Sequence, residues 1–238
     1  MDGLYEGSEE TREQQRRRPT KRGKRGQGKK LNGQQDLNIG YINIRGGRKE
    51  GKWKMLYDIG RELKLDVLCI SETHLLELET PPICSEFRWV GSNREISQNR
   101  FGGVGMLIRV GYRVQEQLSK VGSDVAAIDI GEGPGRLRLV VGYRAPSNNA
   151  EQNESFYAKL KGLVDNCIKT VIVADLNAHL FQFDRTTDAA GNEMEEFCRN
   201  TGLLNVMLSD KCNGSHTYTE GRKKSTINYV LANDRGVN

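Results

Sequence analysis

One apolar, β-branched run ends in an acid, an amide and an imidazole: Val171-Ile172-Val173-Ala174-Asp175-Leu176-Asn177-Ala178-His179. Four consecutive apolar residues read as a strand buried on both faces, since a half-exposed strand would alternate with polar residues. Asp175 then stands where the strand leaves its sheet. In extended backbone, residues two apart point the same way, so Asp175 and Asn177 would project together. A carboxylate there can orient a water while an amide donates to a phosphate oxygen. A strand ending in an ordinary Asx turn, with Asp and Asn capping the backbone, would show the same residues.

Other strand ends carry polar groups of the same kind. Asn43 closes the run from Leu37, and Glu72 follows the apolar run Val67-Leu68-Cys69-Ile70. Tyr143 ends another run and leads into a polar loop, and Asn228 lies on the last strand pattern. Strand ends gathered at one sheet edge are where α/β proteins build sites. Glu72 and Asp175 are hard oxygen donors of the type that hold Mg²⁺ while leaving room for water and phosphate. Such a set suits metal-assisted attack on a phosphodiester, with Asn177 and Tyr143 donating to the phosphate. No clustered His/Cys set is present, which disfavours zinc. His74, His179 and His216 read as surface histidines.

The elements that must position these groups show an α/β pattern. A strand ending near Asn43 and a Gly46-Gly47 turn precede a helix over Lys52–Leu63, with Trp53, Leu56, Tyr57, Gly60 and Leu63 on one face. A second buried strand then runs into Glu72, giving a βαβ-like opening. From Pro81 to Leu118 the signals are β and loop. The Gly102-Gly103 pair reads as a tight start to a strand, since its spacing fits no phosphate-binding loop. Strands over Val125–Ile130 and Arg136–Tyr143 are joined through Gly131–Gly135 as a hairpin. A helix over Glu154–Asn166 precedes the Val171 strand. Another spans Asp188–Thr201, with Met194, Phe197 and Cys198 inward and Gly202 as its cap. Thr217–Thr219 and Ser225–Leu231 read as a short strand pair around the basic turn Gly221-Arg222-Lys223-Lys224.

At 238 residues the chain fits one large α/β domain. Its mean hydropathy of -0.64 and lack of a long apolar run exclude a membrane span of the usual kind. Five scattered cysteines without a CxxC pair argue against a disulfide framework, and Cys69 and Cys167 read as buried packing. The net charge of +5 is unevenly placed. Arg16-Arg17-Arg18, Lys21-Arg22, Lys24-Arg25 and Lys29-Lys30 crowd a stretch with almost nothing apolar. Residues 1–36 therefore read as a disordered basic tail suited to nucleic acid or nuclear localisation, and 37–238 as the folded domain.

Taken together, Asn43 in Ile-Asn-Ile-Arg, Glu72 in Ser-Glu-Thr-His, Tyr143 in Tyr-Arg-Ala-Pro, Asp175-Leu-Asn177 and Ser225-Thr-Ile-Asn228-Tyr stand in one order. In that order they resemble the endonuclease/exonuclease/phosphatase superfamily, with its DNase I-like fold. More narrowly, the chain is similar to the endonuclease domain of non-LTR retrotransposons, from about Leu37 to Leu231. The resemblance implies an α/β fold in which a two-sheet β-sandwich is flanked by helices in four layers. It also implies a divalent-metal DNA endonuclease using Mg²⁺ or Mn²⁺, with Glu72 as metal ligand and Asn43 beside it. Asp175 would activate water, and Asn177 and Tyr143 would bind phosphate. Thr217 and Ser225 match positions lining the DNA groove, and Arg222, Lys223 and Lys224 add basic charge next to them. DNA is the implied partner, with RNA as a further one for the basic tail. In intact elements a reverse transcriptase comes after it; the domain itself is expected to be a nuclear monomer with no membrane.

Two departures bear on activity. The family pattern places Asp where this chain has Asn228, and that Asp orients an imidazole from a later Ser-Asp-His strand. No such motif occurs in the 238 residues, so the expectation is a domain lacking its last strand, with a neighbouring strand edge unpaired and activity weak or lost. Two alternatives stay open at this point. One is a non-catalytic nucleic-acid-binding remnant, and the other a phosphatase or phosphodiesterase of the same fold.

Overall fold

A computed structural model describes residues 36–96, 101–118, 124–210, 212–213 and 216–237. The basic stretch from Arg16 to Lys30, on which the expectation of a nucleic-acid tail rests, lies outside them. The chain opens with β1 (Ile39–Asn43), α1 (Glu50–Glu62), β2 (Val67–Ser71), β3 (Phe87–Ser92) and β4 (Val104–Arg109). These strands form one sheet in the order β1-β2-β4-β3, with β1 and β2 parallel as a βαβ unit requires.

The C-terminal half of the chain builds a second sheet. It begins with β5 (Val114–Leu118), β6 (Val125–Ile130), β7 (Leu137–Tyr143), α2 (Ala150–Leu163) and β8 (Lys169–Asp175). After α3 (Phe181–Asp184) and α4 (Ala189–Thr201) come β9 (Leu204–Asn205), β10 (Tyr218–Glu220), β11 (Lys223–Ser225), β12 (Asn228–Ala232) and α5 (Asp234–Val237). The order in this sheet is β5-β6-β7-β8-β12-β9, while β10 and β11 form a separate hairpin. Among the described residues, no helix is long and apolar enough to cross a membrane.

Residue alternation along the strands builds the layers. On β2, Val67 and Cys69 face the second sheet, while Leu68 and Ile70 face α1 through Trp53 and Leu56. On β8, Val171 and Val173 face the first sheet, while Ile172 and Ala174 pack with Phe156, Leu160, Met194 and Phe197 of α2 and α4. The result is helix, sheet, sheet, helix, the two-sheet sandwich flanked by helices that the resemblance implies.

The helices start where their caps dictate. Asn149 and Gln152 exchange side-chain and backbone hydrogen bonds of 2.9 Å each, a capping box that begins α2 four residues before Glu154. Asp188 caps α4 by accepting from the Gly191 amide at 2.7 Å, and Gly202, at φ +70°, ends it.

Two expectations need correcting. Ser225–Leu231 is not one strand paired with Thr217–Thr219. Lys223–Ser225 pairs with β10, whereas Asn228–Ala232 runs antiparallel to β8. The joint between them is held by Thr217 Oγ1, which accepts from the Ile227 and Asn228 amides at 3.0 and 3.1 Å. Cys167 is exposed rather than buried, because it sits in the loop before β8, its amide donating to Asp165; Cys69 is buried as expected.

Candidate active site

Alternation also decides what stands at one end of the layer between the sheets. Ile39, Tyr41 and Asn43 share a face of β1, and Leu139, Val141 and Tyr143 share a face of β7. Val171, Val173 and Asp175 do so on β8, and Val230 and Asn228 on β12. The apolar members pack in the layer between the sheets. Asn43, Tyr143 and Asp175 come last on their strands and Asn228 first on antiparallel β12, so all four line the open end of that layer. Register sets them side by side: Asp175 lies opposite Tyr143 on one flank and Asn228 on the other. Together with Asn43 and Glu72 they line a cleft of about 700 Å³.

The Asn43 amide spans the two sheets at this point, where the Tyr143 phenol also hydrogen-bonds Glu72. Asn43 Nδ2 donates to Glu72 Oε1 at 2.6 Å and to Asp175 Oδ2 at 3.0 Å. Its own oxygen accepts from the Arg45 amide at 3.0 Å. Asn43 therefore holds the two carboxylates together and turns its nitrogen, not its oxygen, toward Glu72.

Glu72 has the wrong parity for the inner face, and the backbone corrects this. Its φ is +51°, and Arg45, His74 and Asn177 around the cleft are also left-handed, at +44°, +53° and +44°. Non-glycine residues seldom adopt that region, and a cluster of them marks a site held by its surroundings. The bracing is visible on the Glu72 side. The Thr73 and His74 amides donate to the Gly103 and Gly102 carbonyls at 3.1 and 2.9 Å. A Cβ on Gly103 would fall 2.5 Å from Thr73 Oγ1. The glycine pair is thus a tight strand start, as its spacing predicts.

Asn177 reaches the cleft by a turn rather than by strand alternation. Its amide donates to Asp175 Oδ1 at 3.2 Å, which is an Asx turn, and its side chain donates to the Arg144 carbonyl at 2.8 Å. The chemical and the capping readings of this run coexist in one loop.

Electrostatics single out Asp175. It is 1% exposed, and among the described residues no cation pairs with it. Burial pushes its carboxyl up to about 6; the Asn43 and Asn177 hydrogen bonds oppose the rise, and nearby Glu72 adds to it. Burial also drives the Tyr143 phenol well up, reinforced by Glu72 and Asp175. Two adjacent carboxylates, one of them buried with only the more distant Arg45 to offset its charge, form a donor set that a hard divalent cation would neutralise. Among the described residues there is no group of three or more His, Cys, Asp and Glu side chains poised as a metal cage. Mg²⁺ commonly binds through one or two carboxylates plus water and substrate phosphate, so the set fits.

The remaining expected residues form the cleft's outer wall. Thr217 and Ser225 line it, although Thr217 Oγ1 is already engaged in holding the start of β12. Arg222 and Lys224 are exposed on the β10–β11 hairpin, Lys224 beside a second recess; the Lys223 side chain lies outside the described atoms. Asn228 Oδ1 is buried without a hydrogen-bond partner, while its Nδ2 donates to the Thr217 carbonyl at 3.4 Å.

Residue types alone did not reveal three further groups. Arg45 lies over the Tyr218 ring at 5.2 Å, joining the loop after β1 to the hairpin. His179 lines the cleft with its Nδ1 2.9 Å from Asp184 Oδ2. The spacing of five residues between this His and Asp was the available signal. Arg144 supplies the carbonyl that holds Asn177, and its own guanidinium is anchored on Glu193 at 3.4 Å.

Comparison with known proteins agrees with this architecture. The sequence over residues 137–238 matches a family described as endonuclease-reverse transcriptase. No curated protein sequence matches the chain. Among solved structures, the AP endonuclease of Leishmania major superposes with a TM-score of 0.67 at 15% identity, covering 84% of this chain and 79% of that one. The endonuclease domain of TRAS1, a telomere-specific non-LTR retrotransposon, gives 0.63 at 15% identity, covering 84% and 86%. An AP endonuclease from Archaeoglobus fulgidus gives 0.62 at 16% identity, covering 83% and 86%. The chain has a DNase I-like fold.

Proposed function

We propose that this chain is a divalent-metal-dependent DNA endonuclease domain of the non-LTR retrotransposon type, which nicks DNA by hydrolysing a phosphodiester. The observation that carries the reading is the Asn43 amide bridging Glu72 and Asp175 across two sheets at the mouth of one cleft. The family match over residues 137–238 and the TRAS1 likeness favour this type over a phosphatase of the same fold.

Glu72 would hold the cation, which when bound supplies positive charge to the phosphoryl oxygens. The chain's own groups do the rest. Asp175 orients a water and takes its proton, a role suited to a carboxylate whose pKa burial has brought toward neutrality. Tyr143 keeps its phenol proton to donate to the phosphate, because burial and the adjacent carboxylates oppose its ionisation. Asn177, locked by Arg144, is the second donor. The exposed Arg222 and Lys224 meet DNA backbone beyond the cleft. In an intact element a reverse transcriptase would use the freed 3′-hydroxyl as primer. Such work belongs in the nucleus, and a monomer suffices for it.

Nicking of supercoiled plasmid with Mg²⁺, Mn²⁺ or EDTA tests this, using the chain and its Glu72→Ala and Asp175→Ala variants. Metal-dependent nicking lost in both variants is expected. Asn228→Asp combined with an added Ser-Asp-His strand is expected to raise a weak rate. Salt-sensitive DNA binding without nicking, unaffected by either substitution, would instead favour a binding remnant.

A further inference from the structure

The cleft does not end at Asp175. Past Ala178 it opens into a second recess of about 590 Å³, and His179 lines both spaces. The imidazole is held in place. Its Nδ1 lies 2.9 Å from Oδ2 of Asp184, which is itself 9% exposed and accepts the Thr226 amide on Oδ1 at 3.3 Å. A carboxylate can only accept, so Nδ1 donates and Nε2 remains as the ring's second nitrogen. Among the described residues nothing bonds Nε2. The main chain on either side is fixed too: the His179 amide donates to Asp188 Oδ1 at 3.1 Å, and the Ala178 carbonyl accepts from the Tyr229 hydroxyl at 2.9 Å.

We propose that His179 is a substrate-contacting residue whose protonated ring donates from Nε2 to a phosphate oxygen of the DNA strand, beside the phosphate at Asp175. This rests on the nuclease reading for the identity of the ligand. The charged groups around the ring are Asp184 and Asp188 on its own side, Arg185 after α3, Glu220 and Lys224 from the hairpin, and Asp175 within the cleft. In the recess itself Arg185 and Lys224 offset Asp184 and Glu220, so a charged imidazole supplies its net positive charge.

The test measures binding of a short duplex DNA by the full chain in EDTA, where no metal-dependent cleavage intervenes. Affinity is tracked against salt at pH 6 for the chain and for His179→Gln. The wild-type slope of log affinity against log salt is expected to be steeper by about 0.9, the value of one phosphate contact. With three histidines in the chain, ring-nitrogen NMR can observe His179 directly, and its signal should move when DNA is added. Equal slopes, or an unmoved His179 signal, overturn the proposal. Binding that depends on His179 without nicking in Mg²⁺ would sustain it and reject the nuclease reading. Nicking with binding indifferent to His179 would do the reverse.

Discussion

Asp129 and Asp175 are buried carboxylates on β6 and β8 of the same sheet, each 1% exposed, and their surroundings are opposite. Asp129 receives a two-pronged guanidinium: Arg138 Nε at 2.8 Å on one oxygen and Nη2 at 3.1 Å on the other, with Arg136 at 3.6 Å. Asp175 receives an amide and a backbone N–H, and among the described residues no salt bridge reaches it, Arg45 acting only from a distance. A buried carboxylate paired with arginine contributes to folding and is chemically quiet. One held only by neutral donors costs stability and keeps its affinity for a proton or a cation. The contrast separates the two acids more sharply than burial does.

The largest effect that would break this comparison is on catalysis. Asp175→Asn preserves size, gives up one of the two accepting oxygens that Asn43 and Asn177 use, and cannot take a proton. Plasmid nicking in Mg²⁺ should fall by about 10²–10⁴-fold, the usual contribution of a positioned acid or base. Retained nicking would mean that Asp175 is no more reactive than Asp129.

On stability the ranking reverses. Arg138→Met takes the two-pronged guanidinium from buried Asp129 and leaves it only the longer Arg136 contact, and should destabilise the fold by about 3 kcal/mol in denaturant titration. Asp175→Asn should do the opposite at neutral pH. The smallest effect is a pH dependence measured without metal. The Asp175 carboxyl is raised from its ordinary value near 4 to about 6, so the folded state holds this proton where the unfolded state has lost it. Stability from this group is therefore fully present below pH 4 and is lost as pH rises through 6. Relative to Asp175→Asn, the wild type should weaken by about 3 kcal/mol across that window. Parallel curves for the two proteins would show that Asp175 is as well compensated as Asp129.

Much of this was legible in the sequence. Apolar runs ending in Asn43, Glu72, Tyr143 and Asp175 gave the strands, and period-two alternation gave the shared inner face for Asn43, Tyr143 and Asp175. Glu72 escaped that rule, since only a left-handed backbone brings it inward, and no residue type announces such a φ for glutamate. Asn177 joined the cleft through a turn, because its Asx bond to Asp175 outweighed strand continuation. The break between Ser225 and Asn228 was hidden since Thr226 and Ile227 are good strand formers; a hydroxyl from Thr217 makes the joint. His179 looked like a surface histidine until a short helix carried Asp184 back to its ring.

The amide of Asn43 has a mechanical meaning as well. It spans two sheets whose separation is set by the side chains stacked between them, Val141 and Ile128 among others. The gap between the Glu72 and Asp175 carboxylates is then gauged by the thickness of a hydrocarbon layer. Residues deep in that layer, far from the cleft, act as shims for the two carboxylates, and a methylene added or removed there would retune the cleft from a distance.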